Sequence, residues 1–138
     1  MSRPFLKVEQ IQVTTHRRNE LLDITRLIQE YIDRINLDDG VIILWVPHTT
    51  AALTINENAD PDVVRDILFK MEREYPQQDN YHHGEGNSDA HIKSSLFGPS
   101  LNLIVDSGKL LLGTWQAVYF CEFDGPRKRK LYLKALSG

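Results

Sequence analysis

Residues 81–96, YHHGEGNSDAHIKSSL, concentrate side chains that bind ions and move protons. Three of the chain's five histidines stand there, and His82, His83, Glu85, Asp89 and His91 together offer imidazole nitrogens and carboxylate oxygens. These are the donors that zinc and similar divalent ions select. Gly84 and Gly86 permit tight bends, and Ser88 or Asn87 is placed to cap a short helix over residues 89–97. His91 then falls in the first turn of that helix, and Gly98-Pro99 stop it. A loop ligand at His83 and a helix ligand at His91 converge without long-range closure. A third must come from elsewhere, and His48 is the best remaining candidate, at the end of the apolar run 41–46 where a buried strand leaves the core. The competing reading is a polar turn carrying solvated histidines. Neither an HxxxH nor a CxxC spacing is present to decide the matter.

Three imidazoles around zinc leave one coordination position for water or a phosphate oxygen. Zinc suits these donors before magnesium or manganese. Glu85 is then the candidate proton acceptor or donor, and Asp89 the candidate that orients a ligand histidine. Positive potential for an anion is expected from Lys93, Arg127 and the helix start at Asn87 and Ser88. Thr49 and Thr50 either hold an anion or cap exposed backbone at a strand turn. The run Arg127-Lys128-Arg129-Lys130 is expected to be a solvated strand start, with phosphate contact as the rival reading.

The elements that must carry these residues follow from periodicity. Residues 5–15 predict an opening strand whose apolar phase changes between Val8 and Ile11, which a bulge would absorb. Leu21, Ile24, Ile28, Tyr31 and Ile35 recur at three- and four-residue steps and predict an amphipathic helix capped by Asn19 or Asp23. Residues 41–46 lack polar alternation and predict a central strand covered on both faces. A second extended run spans 51–55. Asp60-Pro61-Asp62 then starts a helix with a core stripe of Val64, Ile67, Leu68, Met71 and Tyr75, ended by Pro76. Runs at 101–105 and 109–112 flank Asp106-Ser107-Gly108 as a hairpin. A strand over 117–123, the turn Asp124-Gly125-Pro126 and a last strand ending near Leu136 complete an expected C-terminal meander. Strands mixed with two long helices and a short third predict an α+β fold.

A chain of 138 residues predicts one domain, and at that size folding buries roughly 68% of the unfolded surface. With 41% hydrophobic residues, 25% charged residues and a net charge of −3, no general nucleic-acid affinity is expected. Cys121 is alone and reads as a buried strand thiol. No secretory signal and no membrane span of roughly 20 apolar residues is found, so no membrane partner and a cytoplasmic location are expected.

Three stretches together carry a resemblance: HTTAALTINENADPDV at 48–63, HGEGNSDAHIKSSL at 83–96 and GTWQAVYFCEFDGPR at 113–127. The sequence resembles, over nearly its whole length, the YjbQ-like family, uncharacterised protein family 0047, often labelled secondary thiamine-phosphate synthase. Ala117 departs from the glycine expected after GTWQ. The resemblance implies a compact α+β domain over residues 1–138 with two β-sheets, assembled as a homotrimer with sites near subunit boundaries. It implies that His48, His83 and His91 are the motif histidines and the metal ligands, that Glu85 belongs to the motif, and that Trp115 is interface or pocket wall. The leading expectation is therefore a metal-dependent enzyme acting on a small phosphorylated metabolite, with thiamine-phosphate synthase activity as the version the resemblance implies. The alternative is a non-catalytic trimer that binds metal and a small anion. A third reading makes the histidines an intersubunit staple.

Overall fold

The computed structural model of the chain describes residues 6–138. In order, the elements are β1 (Glu9–Thr14), β2 (Glu20–Asp23), α1 (Thr25–Ile35), β3 (Gly40–Trp45), β4 (Ala51–Glu57), α2 (Pro61–Glu74), α3 (Ser88–Phe97), β5 (Ser100–Asp106), β6 (Lys109–Leu110), β7 (Gln116–Glu122) and β8 (Lys128–Ser137). The strands form two antiparallel sheets, one of five strands in the order β1-β8-β3-β5-β6 and one of three in the order β2-β7-β4. The α+β architecture is the one expected.

The main core lies between the sheets. Val13, Ile42, Leu44, Leu103, Leu131 and Leu133 from the larger sheet meet Ala51, Leu53, Val118 and Phe120 from the smaller, and α1 adds Ile28, Tyr31 and Ile32. Each large apolar side chain buried here contributes about 1.5–3 kcal/mol. The other face of the smaller sheet carries a second cluster of Ala52, Ala117, Tyr119, Cys121 and Phe123, packed against Ala90 and Phe97 of α3 and Val64, Ile67 and Leu68 of α2. Covered on both faces, β7 is buried from Ala117 to Glu122, and its Cys121 thiol is pushed up by burial. By contrast α2 buries no residue fully, and the stripe expected to be core is only half-covered.

Local chemistry sets the element ends. Asp60 accepts the Asp62 N–H at 2.9 Å with Pro61 at the first helical position, as the sequence predicts. Ser107 and Gly108 have φ of 50° and 78°, the two-residue turn whose twist suits the β5–β6 hairpin.

Four expectations need correction. Leu21 is not helical: Glu20–Asp23 pairs with β7, Leu21 opposite Cys121, and α1 begins only at Thr25, whose N–H is accepted by Asp23 at 2.9 Å. A three-residue step from strand to helix had mimicked one helical stripe. Along β1, Ile11 and Val13 point inward in a single phase while Val8 precedes the strand, so no bulge is needed; Phe5 lies outside the described residues. The last strands are no meander, because β7 belongs to the smaller sheet while β5, β6 and β8 belong to the larger. Finally, β3 is central but covered on one face only, leaving Val41, Ile43 and Trp45 36–49% exposed in the chain alone.

Gly40 shows how tightly β3 and β8 approach. A Cβ there would overlap the Leu136 carbonyl oxygen, a backbone atom that cannot swing aside. Gly40→Ala is expected to lower stability by about 1–3 kcal/mol, read as a shift in the urea unfolding midpoint.

Candidate functional site

The site is built where β3 leaves its sheet. Pro47 has no N–H and cannot continue the ladder. The pairing of Trp45 with Tyr132 sets Lys130 two residues beyond the last paired position, where its backbone N–H needs a new acceptor. Nε2 of His48 supplies it, accepting at 2.8 Å. Burial, then the charge of Arg129, holds His48 below its usual pKa; Glu122 opposes this, and Lys130 and Arg127 add to it.

Behind His48 lies a buried ion pair. Glu122 at the end of β7 accepts from Arg129 Nε at 2.8 Å, from Arg129 Nη2, and from the Thr15 hydroxyl at 2.7 Å. It also accepts the N–H groups of Phe123 and Asp124, each at 3.0 Å. Arg129 Nη2 further donates to the Thr50 hydroxyl at 2.8 Å. Burial pushes Glu122 up, yet the bonds from Arg129, Thr15 and the Asp124 N–H together hold it below the ordinary carboxylate value. The basic run is the strand start expected, with Arg127, Lys128 and Lys130 exposed, but Arg129, only 3% exposed, turns inward instead of being solvated. Its inward phase on β8 was the signal available, since Arg129 alternates with Leu131 and Leu133.

The third wall is the loop before α3. His83 and His91 stand edge to face with ring centroids 5.5 Å apart, and Glu85 Oε2 lies 3.8 Å from His83 Nε2. Asn87 donates through Nδ2 to Asp124 at 2.9 Å, so it does not cap α3 with its side chain, and its buried Oδ1 has no partner among the described residues. These walls enclose an open cleft of about 720 Å³ lined by His48, Thr49, Thr50, His83, Glu85, Asn87, His91, Asp124, Arg127 and Arg129, with Trp45 at its rim.

The family model described as UPF0047 protein YjbQ-like matches residues 9–138. This chain belongs to that family. It is 52% identical to the UPF0047 protein of Methanocaldococcus jannaschii over 91% of each chain, and 47% identical to YugU of Bacillus subtilis over 91% of this chain and 96% of that one. Among solved structures, an uncharacterized YjbQ/UPF0047 protein from Clostridium acetobutylicum superposes with a TM-score of 0.90 at 48% identity, over 93% of this chain and 99% of that one. A hypothetical protein from Aeropyrum pernix gives the same TM-score at 33% identity, over 96% and 100%.

In this YjbQ-like chain the three motif histidines, from separate segments, do share one cleft, together with Glu85, Thr49, Thr50, Asn87 and Arg127. Four expected site residues stand elsewhere. Asp89 orients no histidine: both its oxygens are held by Arg18 at 2.9 Å, with Lys93 at 2.9 Å as well. Burial pushes Asp89 up, but the bonds from Arg18 and Lys93 leave it below the ordinary value. Lys93 is fully buried and directs its charge to Asp89 and Glu72, not to the cleft. Ser88 opens α3 without lining the cleft. Trp115, 62% exposed, lies beyond the Glu57–Gln116 end of the β4–β7 ladder, whereas the cleft opens at the Ala51–Glu122 end.

The donor types in the cleft suit zinc, but their arrangement does not complete a three-histidine site. A neutral imidazole that accepts at Nε2 carries its proton on Nδ1, leaving His48 no free lone pair for an ion. Among the described residues no three His, Cys, Asp or Glu side chains are placed to hold one.

Because Asp89 and Glu122 are both held down in the fold, their stabilisation is complete above the unfolded carboxylate values of about 4 and is lost as pH falls through that range toward the folded ones. Urea midpoints are expected to drop on acidification below about pH 4. Glu122→Gln is expected to lose roughly 3 kcal/mol at pH 7 and to show a shallower acid slope than the unmodified chain.

Proposed function

We propose that the cleft binds a small phosphorylated metabolite and acts on it as an enzyme. What supports this most is the concentration of N–H and guanidinium donors from His48, Arg127 and Arg129 on one wall, facing the imidazoles and carboxylate of His83, His91 and Glu85 on another. Donors fixed in position stabilise negative charge without reorganising, the largest single contribution in many phosphate-handling sites. Thr50 is committed to Arg129, while Thr49 lines the cleft. Asn87 Oδ1 supplies, at the cleft, a buried acceptor without a partner among the described residues, suited to a ligand N–H or a protonated phosphate oxygen.

In this reading Glu85, exposed and beside His83, is the group that takes or gives the proton. A divalent ion, zinc ahead of magnesium or manganese by its imidazole donors, would be held by His83 and His91 and would supply polarisation of a phosphate oxygen. In the thiamine-phosphate synthase version, which rests on the motif resemblance, the donor wall would receive a diphosphate leaving group. The same cleft serves the non-catalytic alternative, which holds the anion without turnover.

The reading extends to a cytoplasmic homotrimer. Among the described residues no helix is long and apolar enough to cross a membrane. The outer face of the five-stranded sheet leaves Val8, Ile43, Trp45 and Ile104 exposed, with a hollow of about 190 Å³ between Val8, Ile43, Trp45 and Tyr132. An exposed apolar face of this kind is what a second copy would cover.

Calorimetric titration of a panel of phosphorylated metabolites, followed by product analysis, is expected to find a ligand that the untagged protein converts. Glu85→Gln should bind that ligand with unchanged affinity and lose conversion; unaltered conversion rejects the proton-transfer role, and binding without conversion by the parent protein selects the non-catalytic alternative. In sedimentation velocity, Ile43→Asp is expected to run as a folded monomer where the parent runs as a trimer.

A further inference from the structure

His48 is the motif histidine nearest the β-sheet, and the backbone settles which of its nitrogens is available. Lys130 lies in β8 opposite Gln12 of β1, so the sheet fixes its backbone and its N–H cannot turn away from the ring it meets at 2.8 Å. That bond requires a lone pair at Nε2 and therefore a proton at Nδ1. Beside the ring, Arg129 is anchored through Nε and Nη2 to Glu122 and Thr50, while its Nη1 makes no hydrogen bond among the described residues. Both side chains line the same cleft. Two donors are thus fixed from behind, one by a strand amide and the other by a buried carboxylate.

We infer that His48 is not an ion ligand but an N–H donor of fixed tautomer, and that with Arg129 Nη1 it forms a rigid seat for a tetrahedral oxyanion, the terminal phosphate of a phosphomonoester or diphosphate. This rests on the reading of the cleft as a phosphate site and adds which residues grip the phosphate. The three histidines then have different roles, since His83 and His91 keep free ring nitrogens for an ion or a proton while His48 serves the anion. A seat of this kind selects ligands by acceptor geometry, because neither donor can rotate to suit a different group.

The test uses untagged protein with 15N-labelled histidine, inorganic phosphate and zinc as the probes. Long-range 1H–15N spectra at pH 7 are expected to show His48 protonated at Nδ1. Phosphate is expected to shift that nitrogen, and zinc to shift His83 and His91 while leaving His48 in place. His48→Ala should weaken phosphate binding about tenfold or more with zinc stoichiometry unchanged. His48→Asn, whose amide nitrogen overlays Nδ1, should recover part of the loss. Zinc capture of the His48 ring, a proton found at Nε2, or phosphate affinity that survives His48→Ala would each overturn the assignment while the cleft remains a phosphate site. Failure of the parent protein to bind phosphate at all would overturn the cleft reading and the seat together. The ring spectrum of the parent protein decides the tautomer even where a variant fails to fold.

Discussion

Burying a carboxylate and a guanidinium between two β-sheets costs several kcal/mol per ion unless the site saturates them with hydrogen bonds. Glu122 receives five donors: two nitrogens of Arg129, the Thr15 hydroxyl and two successive backbone amides. The donors come from both sheets. Arg129 lies on β8 and Thr15 follows β1 in the larger, while Glu122 ends β7 in the smaller and Thr50, which also holds Arg129, precedes β4. The pair therefore ties one sheet to the other directly behind the cleft that Arg129 lines. An apolar substitute would pack there, but it would offer no charge to the ligand side.

A second charged cluster performs the equivalent service for α3. That helix has no apolar stripe, and its buried residues are Asp89, Ala90, Lys93 and Ser94. Lys93 joins Asp89 to Glu72 of α2, and Arg18 grips Asp89 from the chain before β2. The Ser94 hydroxyl donates to the Thr49 carbonyl at 2.6 Å, tying the helix directly to the segment that carries His48. With its inner face committed this way, α3 presents Asn87 and His91 to the cleft from the opposite side. Two of the charged residues expected to serve the ligand thus turn out to hold the wall in place.

The legible parts of the sequence were those governed by local rules. Asp60-Pro61-Asp62 and the Ser107-Gly108 turn follow from chemistry within a few residues. What stayed hidden depended on the other sheet. Leu21 looked helical because only its pairing with Cys121 on β7 makes it a strand residue. Arg129 looked solvated because its partner Glu122 lies seven positions away and across the gap between sheets. The division of labour among Asp89, Lys93 and Arg127 was equally invisible, since a charge run says nothing of which side chain points inward. The role of His48 turned on a single backbone amide from a strand eighty-two residues further along the chain.

Trp45 belongs to two surfaces at once. It stands on the uncovered outer face of β3 and also on the rim of the cleft, separated from His48 by only Val46 and Pro47. Any neighbour that packs over that indole rebuilds the edge of the cavity, and any guest that leans on it changes what the neighbour meets. Any self-association over that indole is thereby linked to occupancy of the cleft, and each shifts the other by the same factor.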